Sequence, residues 1–329
     1  MKPKLHNAPW ARTAPLTSLH IFLLVAGLIL PVAVPARDAE GTKAPSSVPA
    51  FSAERATPAA AATQTVALPD LKVEKGRYGT YVTIRYDAIP GLVLNIWCYE
   101  LGPGEPISHE QQGKAVVLAH KLGEAKLLSR FEPCPDGVDI GVKVTAPDAK
   151  AVRAVRSLNP CCLFQNSPAF KGTEDYVGDF VARCFVFLDG GMTSLKDTKR
   201  LPSTLPGGDP RAKLPQPWIQ EYIPAWRKHP GSGGEIRATS TDRPVYPIIG
   251  VISCDGKHLA AIAWPDTKGL GQVWHHCFHP RPDLNASFNP ATGEIYSRGK
   301  IYLMENDKQR LLERFKHDFP NWRRPPDQK

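Results

Sequence analysis

The chain has 329 residues, 42% of them hydrophobic and 22% charged, which is enough for one large β domain or two small ones. Its formal net charge is +9, but the basic residues are scattered apart from the tail Arg310–Arg324. Nucleic-acid proteins gather theirs on a stripe or a helix, so no nucleic-acid partner is expected, and the charge reads as solubility or a weak pull on acidic polymers.

Along the chain, Lys2, Lys4 and Arg12 precede the apolar run Ile21–Ala36, IFLLVAGLILPVAVPA, which ends in the small residues Val34-Pro35-Ala36. This three-part pattern predicts a secretory signal peptide over residues 1–36, cleaved near Ala36. The run is short for a membrane span, which needs roughly 20 apolar residues, and Pro31 and Pro35 interrupt it. The expected location is therefore secreted or periplasmic, with no stable membrane span after cleavage; a retained N-terminal anchor is the alternative. Residues 37–68 are rich in Ala, Pro, Ser and Thr, lack any helical or strand period, and read as a disordered linker. The folded body is expected over residues 69–325.

From Tyr81 onward, short β-branched and aromatic runs recur between turn signals. The pattern predicts strands at Tyr81–Tyr86, Leu92–Glu100, Ala115–His120, Glu124–Glu132 and Val138–Thr145. It continues with Asp179–Leu188, Pro247–Ser253, Leu259–Trp264, Val273–Phe278 and Ser297–Met304. Val138, Ile140, Val142 and Val144 alternate to line one face, and Cys254-Asp255-Gly256-Lys257 is the clearest hairpin turn. Helices are expected at Asp148–Leu158, opened by a capping aspartate, and at Asp307–Phe319, after an Asn306…Gln309 pair that looks like a capping box. Many strands without βαβ alternation predict an all-β fold, a large antiparallel β-sandwich with a few short helices and a C-terminal helix.

The seven cysteines (Cys98, Cys134, Cys161, Cys162, Cys184, Cys254, Cys277) admit two readings, a disulfide framework or mostly buried thiols. For the vicinal pair Cys161-Cys162, one thiol facing the core and its neighbour facing away is expected over a strained disulfide. No C-x-x-C, Walker loop, G-x-G-x-x-G, G-x-S-x-G or EF-hand occurs, so no cofactor is expected.

Three features bear chemistry. In Trp274-His275-His276-Cys277-Phe278-His279-Pro280, an extended backbone would place His275, Cys277 and His279 on one face, a set that a soft metal accepts. The same histidines suit proton transfer or ligand binding, and also a hydrogen-bonded sheet face. Trp218, Tyr222 and Trp226 share a parity that would show three flat rings on one face of an extended segment, fit for sugar rings or for a core edge. Asn159, Gln165 and Asn166 offer amides to sugar hydroxyls or to turn backbone. Arg183 alternates with Val181 and Phe185, a cation on an apolar face that pairs with a carboxylate or reaches a ligand.

The order of these motifs carries a resemblance. It runs from Asn159-Pro160-Cys161-Cys162 through Ser167-Pro168-Ala169-Phe170 and Arg183–Gly191 to Asp242-Arg243-Pro244 and Pro247–Val251. It ends with Ala263-Trp264-Pro265-Asp266, Trp274–Pro280, Ser297–Tyr302 and a terminal helix. Over roughly residues 75–320 the chain resembles an uncharacterised family of exported bacterial proteins, itself similar to galactose-mutarotase-like β-supersandwich proteins. The resemblance implies two large antiparallel sheets with a concave saccharide face. Enzymes of that type use histidines on separate strands and a carboxylate base near the C-terminus; here the histidines cluster, and the base lies among Asp266, Glu294 and Glu305.

The expectation is an exported carbohydrate-active or carbohydrate-binding protein. Its partner would be a saccharide or polysaccharide, with His275 and His276 catalytic and Arg183, Trp218, Tyr222 and His279 binding substrate. The alternative is a non-catalytic glycan-binding or envelope-associated structural module. A metal site on His275, Cys277 and His279 is a third, minor reading.

Overall fold

The alternation of apolar residues along the chain resolves into two stacked sheets. The computed structural model describes residues 67–76, 79–97, 106–148, 151, 158–172, 178–200, 219–231, 237–273, 275–284, 289 and 291–328. All of them lie in the unit Ala62–Lys329. The predicted signal, nearly all of the predicted linker, Trp218 and Cys98 lie outside the described residues.

An eight-stranded sheet takes strands from both ends of the body. These are β1 (Asp70–Gly76), β2 (Gly79–Arg85), β3 (Leu94–Trp97), β8 (Cys161–Leu163), β11 (Ile219–Tyr222), β12 (Arg237–Ser240), β15 (Thr267–Val273) and β16 (Cys277–Pro282). Their spatial order is β1-β2-β3-β8-β16-β15-β11-β12. Neighbours are antiparallel except for the terminal pair β11–β12, which is parallel.

The nine-stranded sheet holds β4 (Ser108–Gln112), β5 (Ala115–Leu122), β6 (Ala125–Cys134), β7 (Gly137–Thr145), β9 (Cys184–Leu188), β10 (Gly191–Ser194), β13 (Ile248–Ile252), β14 (His258–Ala263) and β17 (Glu294–Glu305). Its order is β10-β9-β13-β14-β17-β7-β6-β5-β4. The helices are short: α1 (Pro168–Lys171), α2 (Gly178–Arg183) and the C-terminal α3 (Lys308–Asp318). The chain is an all-β sandwich of two large sheets.

The main core lies between the sheets, where Val82, Ile84 and Ile96 of one meet Val116, Leu127, Phe131, Ile140 and Ile301 of the other. Burial on this scale, at about 25 cal/mol per Å² of apolar surface, drives the stacking. Trp264 is fully buried there and donates from Nε1 to Ser297 Oγ at 2.7 Å. It lies flat over Gly299, where a Cβ would come within 2.1 Å of the indole ring. Odd and even residues of one strand serve different layers: Cys184 and Val186 of β9 face this core, while Phe185 and Phe187 face outward. That outer layer is covered by α3 through Leu311, Phe315 and Phe319. Asp307 caps α3 by accepting from the backbone N–H groups of Gln309 and Arg310, so the cap falls one residue after the predicted Asn306.

Two predicted strands change identity. Asp179–Leu188 divides into α2 and β9, because Phe180 and Val181 reach the core from a helical turn; their composition signalled burial, not extension. Val273–Phe278 spans a reversal between β15 and β16, with Gln272 paired to Phe278. His275 and His276 sit in the turn, and Cys277 N–H donates to the His275 carbonyl at 2.7 Å. The side-chain alternation expected from His275 to His279 therefore begins only at Cys277. The predicted helix at Asp148–Leu158 has its capping bond, Ala151 N–H to Asp148 Oδ1 at 2.7 Å, but residues 152–157 lie outside the described set. No helix among the described residues is long and apolar enough to cross a membrane.

Candidate functional site

The outer face of the eight-stranded sheet gathers polar side chains from strands far apart in sequence. At its β1 end lies an open pocket of about 290 Å³ lined by Glu74, Lys75, Tyr81, Thr83, Asn95, Leu163, Gln165 and Asn166. Thr83 Oγ1 donates to Glu74 Oε2 at 2.6 Å and Arg85 reaches Glu74 Oε1 at 3.4 Å. The Thr83 bond first, and the cations Arg85 and Lys72 with it, hold the Glu74 carboxyl below its ordinary range. Asn95 Oδ1 is buried and accepts no hydrogen bond. Tyr81 stands edge-on to Trp97, with ring centroids 6.4 Å apart, so the pocket borders an aromatic corner.

One step along the strands, ladder registers align a second row. Trp97 pairs with Cys161, and His279 and Glu221 both pair with Gly271 from opposite sides. The β8–β16 register, Leu163 with Cys277 and Cys162 with Phe278, brings Cys161 beside His279. The row thus reads Trp97, Cys161, His279, Gly271, Glu221 across five adjacent strands. His279 and Glu221 are each 2% exposed, and Glu221 is ion-paired with Arg281.

Glycine makes this arrangement fit. A Cβ on Gly271 would lie 2.4 Å from His279 Nε2, and one on Gly269 would lie 2.6 Å from Glu221 Oε1. The imidazole and the carboxylate therefore lie over β15 from opposite flanks. Glycine weakens a strand interior, so two of them under buried polar groups mark a close approach that the sheet needs. Nearby, burial pulls the Lys268 ammonium below its usual pKa, with Arg281 adding to the effect. Burial likewise raises Asp266, against the pull of Arg227.

The residues singled out in the sequence fall in several places. His279 lies in the outer row. His276 is 5% exposed in the β15–β16 turn, edge-on to Phe180 with centroids 5.4 Å apart. Burial first, then Lys171, Arg183 and His275, push its pKa down to about 4. It is therefore neutral at pH 7 and not poised for proton exchange there. His275, half-buried, adjoins it in the turn.

Arg183 ends α2 rather than standing in a strand. Its guanidinium donates to the Ile252 carbonyl at 2.8 Å and the Phe170 carbonyl at 3.0 Å, tying α1 to β13. Tyr222 is fully buried in the core, where its hydroxyl meets Thr198 Oγ1 at 2.8 Å and receives Arg200 Nη1 at 3.1 Å. A ring so enclosed offers no face to a sugar, and Trp226 is likewise packed, against Trp322. The expected aromatic platform is a core edge at both described positions.

Among the described residues, no three His, Cys, Asp or Glu side chains could together hold a metal ion, so His275, Cys277 and His279 do not assemble as ligands. Of the expected bases, Glu294 and Glu305 pair with Lys143 and Arg310 on the far sheet and α3, away from the row. Cys161 and Cys162 face opposite sides of β8, toward the outer cluster and the main core respectively. Burial raises the free thiols of Cys134, to about 12, and Cys184.

Sequence reading found Gln165, Asn166 and His279 but missed Glu74, Asn95, Glu221 and Arg281. The one local trace of the row was Gly269-Leu270-Gly271, too short a signal to interpret without the strand order.

No family model matches the chain, and no curated protein matches it.

Proposed function

We propose that this protein is an exported glycan-recognition protein that holds a saccharide on the outer face of its eight-stranded sheet. The observation that carries this reading is the pocket beside the Tyr81–Trp97 corner. It brings a carboxylate, a hydroxyl and three side-chain amides within one opening. Polyols are bound by such mixed donor and acceptor sets, with an aromatic ring against the apolar C–H face of the sugar. Glu74, kept ionised and oriented by Thr83, accepts from sugar hydroxyls, and the buried Asn95 Oδ1 gains the donor it lacks. Gln165 and Asn166, on the turn after β8, complete the rim.

A catalytic version of the same reading rests on the row alongside. His279 and Glu221 flank Gly271, and His-based acid–base chemistry on a bound sugar would use this pair rather than His275 and His276.

The test is a thermal-shift screen against neutral and acidic oligosaccharides. A ligand at 100 times its Kd adds about 2.7 kcal/mol, a shift of several degrees. The shift should be confined to one sugar class and vanish in Gln165→Ala. Incubation of the bound sugar followed by product analysis separates the two versions: turnover lost in His279→Gln supports catalysis, and binding without product supports recognition alone. A flat screen contradicts the reading.

A further inference from the structure

The pocket beside Tyr81 is polarised from its inner groups to its rim. Thr83 is 1% exposed and is the direct cross-strand partner of Asn95, whose Oδ1 is buried and accepts no hydrogen bond. Both line the opening with Glu74, which already takes the proton of the Thr83 hydroxyl at 2.6 Å. A hydroxyl has a single proton to give, so Thr83 turns only lone pairs toward the cavity. The inner groups are thus three acceptors: a carboxylate, a hydroxyl oxygen and an amide oxygen. Donors sit further out, on the exposed side chains of Lys75, Gln165 and Asn166.

We propose, resting on the saccharide reading above, that the pocket selects a sugar carrying a primary ammonium over its neutral, N-acetylated and carboxylated counterparts. An ammonium offers three donors in a compact head, which matches three acceptors one for one. A sugar hydroxyl brings one donor and leaves the other acceptors facing its lone pairs. An acetamido group brings one donor and the added bulk of the acetyl. A uronate brings acceptors only and meets Glu74 as a like charge.

Three nearby cations oppose this preference. Arg85 reaches Glu74 Oε1 only at 3.4 Å, with both side chains 43% exposed, and Lys72 pairs with Asp70 at 3.6 Å. Exposed pairs of that length contribute little, and a carboxylate has about four lone-pair sites, so Glu74 keeps room for a ligand. Lys75 stands on the exposed rim, where water screens it, and limits the preference without reversing it. Asn95 Oδ1 is sealed from water instead, so its desolvation is offset only when the ligand brings a proton to it.

Calorimetric titration of the full chain tests this with tetrasaccharides of glucose, glucosamine, N-acetylglucosamine and glucuronate on one β-1,4 backbone. Near pH 6 the glucosamine form should bind about fivefold tighter than the glucose form, and the other two weaker than glucose. The preference must vanish as pH rises through the ligand's amine pKa, because the ammonium then loses its charge and a donor. Toward acid it must persist below the ordinary carboxylate range, since the Thr83 bond first, and Arg85 and Lys72 with it, hold the Glu74 carboxyl low. Glu74→Gln should abolish the difference between glucosamine and glucose, and Lys75→Gln should enlarge it. Equal binding of the two sugars, or a preference that survives Glu74→Gln, overturns the inference and leaves the saccharide reading standing. Silence of all four overturns it as well, and the wider oligosaccharide screen then decides the saccharide reading. Should Glu74→Gln misfold, the alkaline limb of the wild-type profile decides: a preference unchanged above the amine pKa refutes it.

Discussion

Lys300 shows how a single buried charge locks two elements together. Its side chain is 2% exposed, with Nζ 2.8 Å from both Asp136 Oδ1 and Asp318 Oδ2, so it joins the β6–β7 turn to the end of α3. Burial alone would lower its pKa, but bonds to Asp136 and Asp318 outweigh burial and raise it. For Asp136, burial is outweighed by Lys300 and Arg314, and the carboxyl is lowered. The Asp136 contribution is present above its unfolded value of about 3.9 and is lost as pH falls through the lower folded value. The Lys300 contribution is present below about 10.4 and is lost as pH rises through the higher folded value. Lys300→Met should cost about 3 kcal/mol in urea unfolding at pH 7, since it removes the buried partner of two carboxylates and leaves them only Arg314, and should flatten both limbs of the stability profile. A loss under about 1 kcal/mol would refute the locking role.

His276 lowers stability on acidification in the same sense as a paired carboxylate, but over a higher pH window and because burial excludes its proton. The folded state refuses a proton down to about pH 4, whereas the unfolded chain accepts one near 6.5. Stability must then fall as pH drops through this window. His276→Phe keeps a ring against Phe180 and should remove part of the acid loss of melting temperature between pH 7 and 4. An unchanged slope would count against a buried neutral imidazole.

Among the elements, β15 is the one whose sequence was hardest to read and whose role is most specific. Its glycines and its isolated Leu270 gave no strand signal, yet they let His279 and Glu221 cross it. Gly271→Ala should destabilise the fold by about 1–3 kcal/mol through the clash with the imidazole. Adding His279→Ala should recover much of that loss, because contacting sites do not add. Additive losses would mean that the two do not share space.

Other elements were open to sequence reading for physical reasons. The β13–β14 hairpin was visible because Gly256 adopts a φ of 74°, while Asp255 accepts from Ser253 Oγ at 2.6 Å and Lys257 N–H at 3.1 Å. β7 was visible because Val138, Ile140, Val142 and Val144 all enter the core. β4, with sequence SHEQQ and no buried residue, had no apolar alternation to find. α2 was misread because Phe180 and Val181 satisfy the same burial from a helix as from a strand.

For the whole molecule, the sandwich was legible because alternation repeats wherever a sheet has a dry face. The site was not, because it is assembled sideways across strands. Glu74, Asn95 and Gln165 come from separated segments, and His279 meets Glu221 only through the order β16-β15-β11. Aromatic spacing misled for the same reason: Tyr222 and Trp226 satisfy a parity rule while facing the core. Sequence periodicity reports which side of a strand is buried, and says nothing of which strand lies alongside.

The direct measurement is calorimetric titration of the oligosaccharide class selected by the thermal screen into wild type, Asn95→Ala, Gln165→Ala and Tyr222→Phe. The pocket account predicts that Asn95→Ala and Gln165→Ala each weaken binding about tenfold with melting temperature nearly unchanged, while Tyr222→Phe, altered only in the core, binds as wild type does. Binding that survives both pocket substitutions, or that is lost only in Tyr222→Phe, would place the sugar elsewhere and contradict the account.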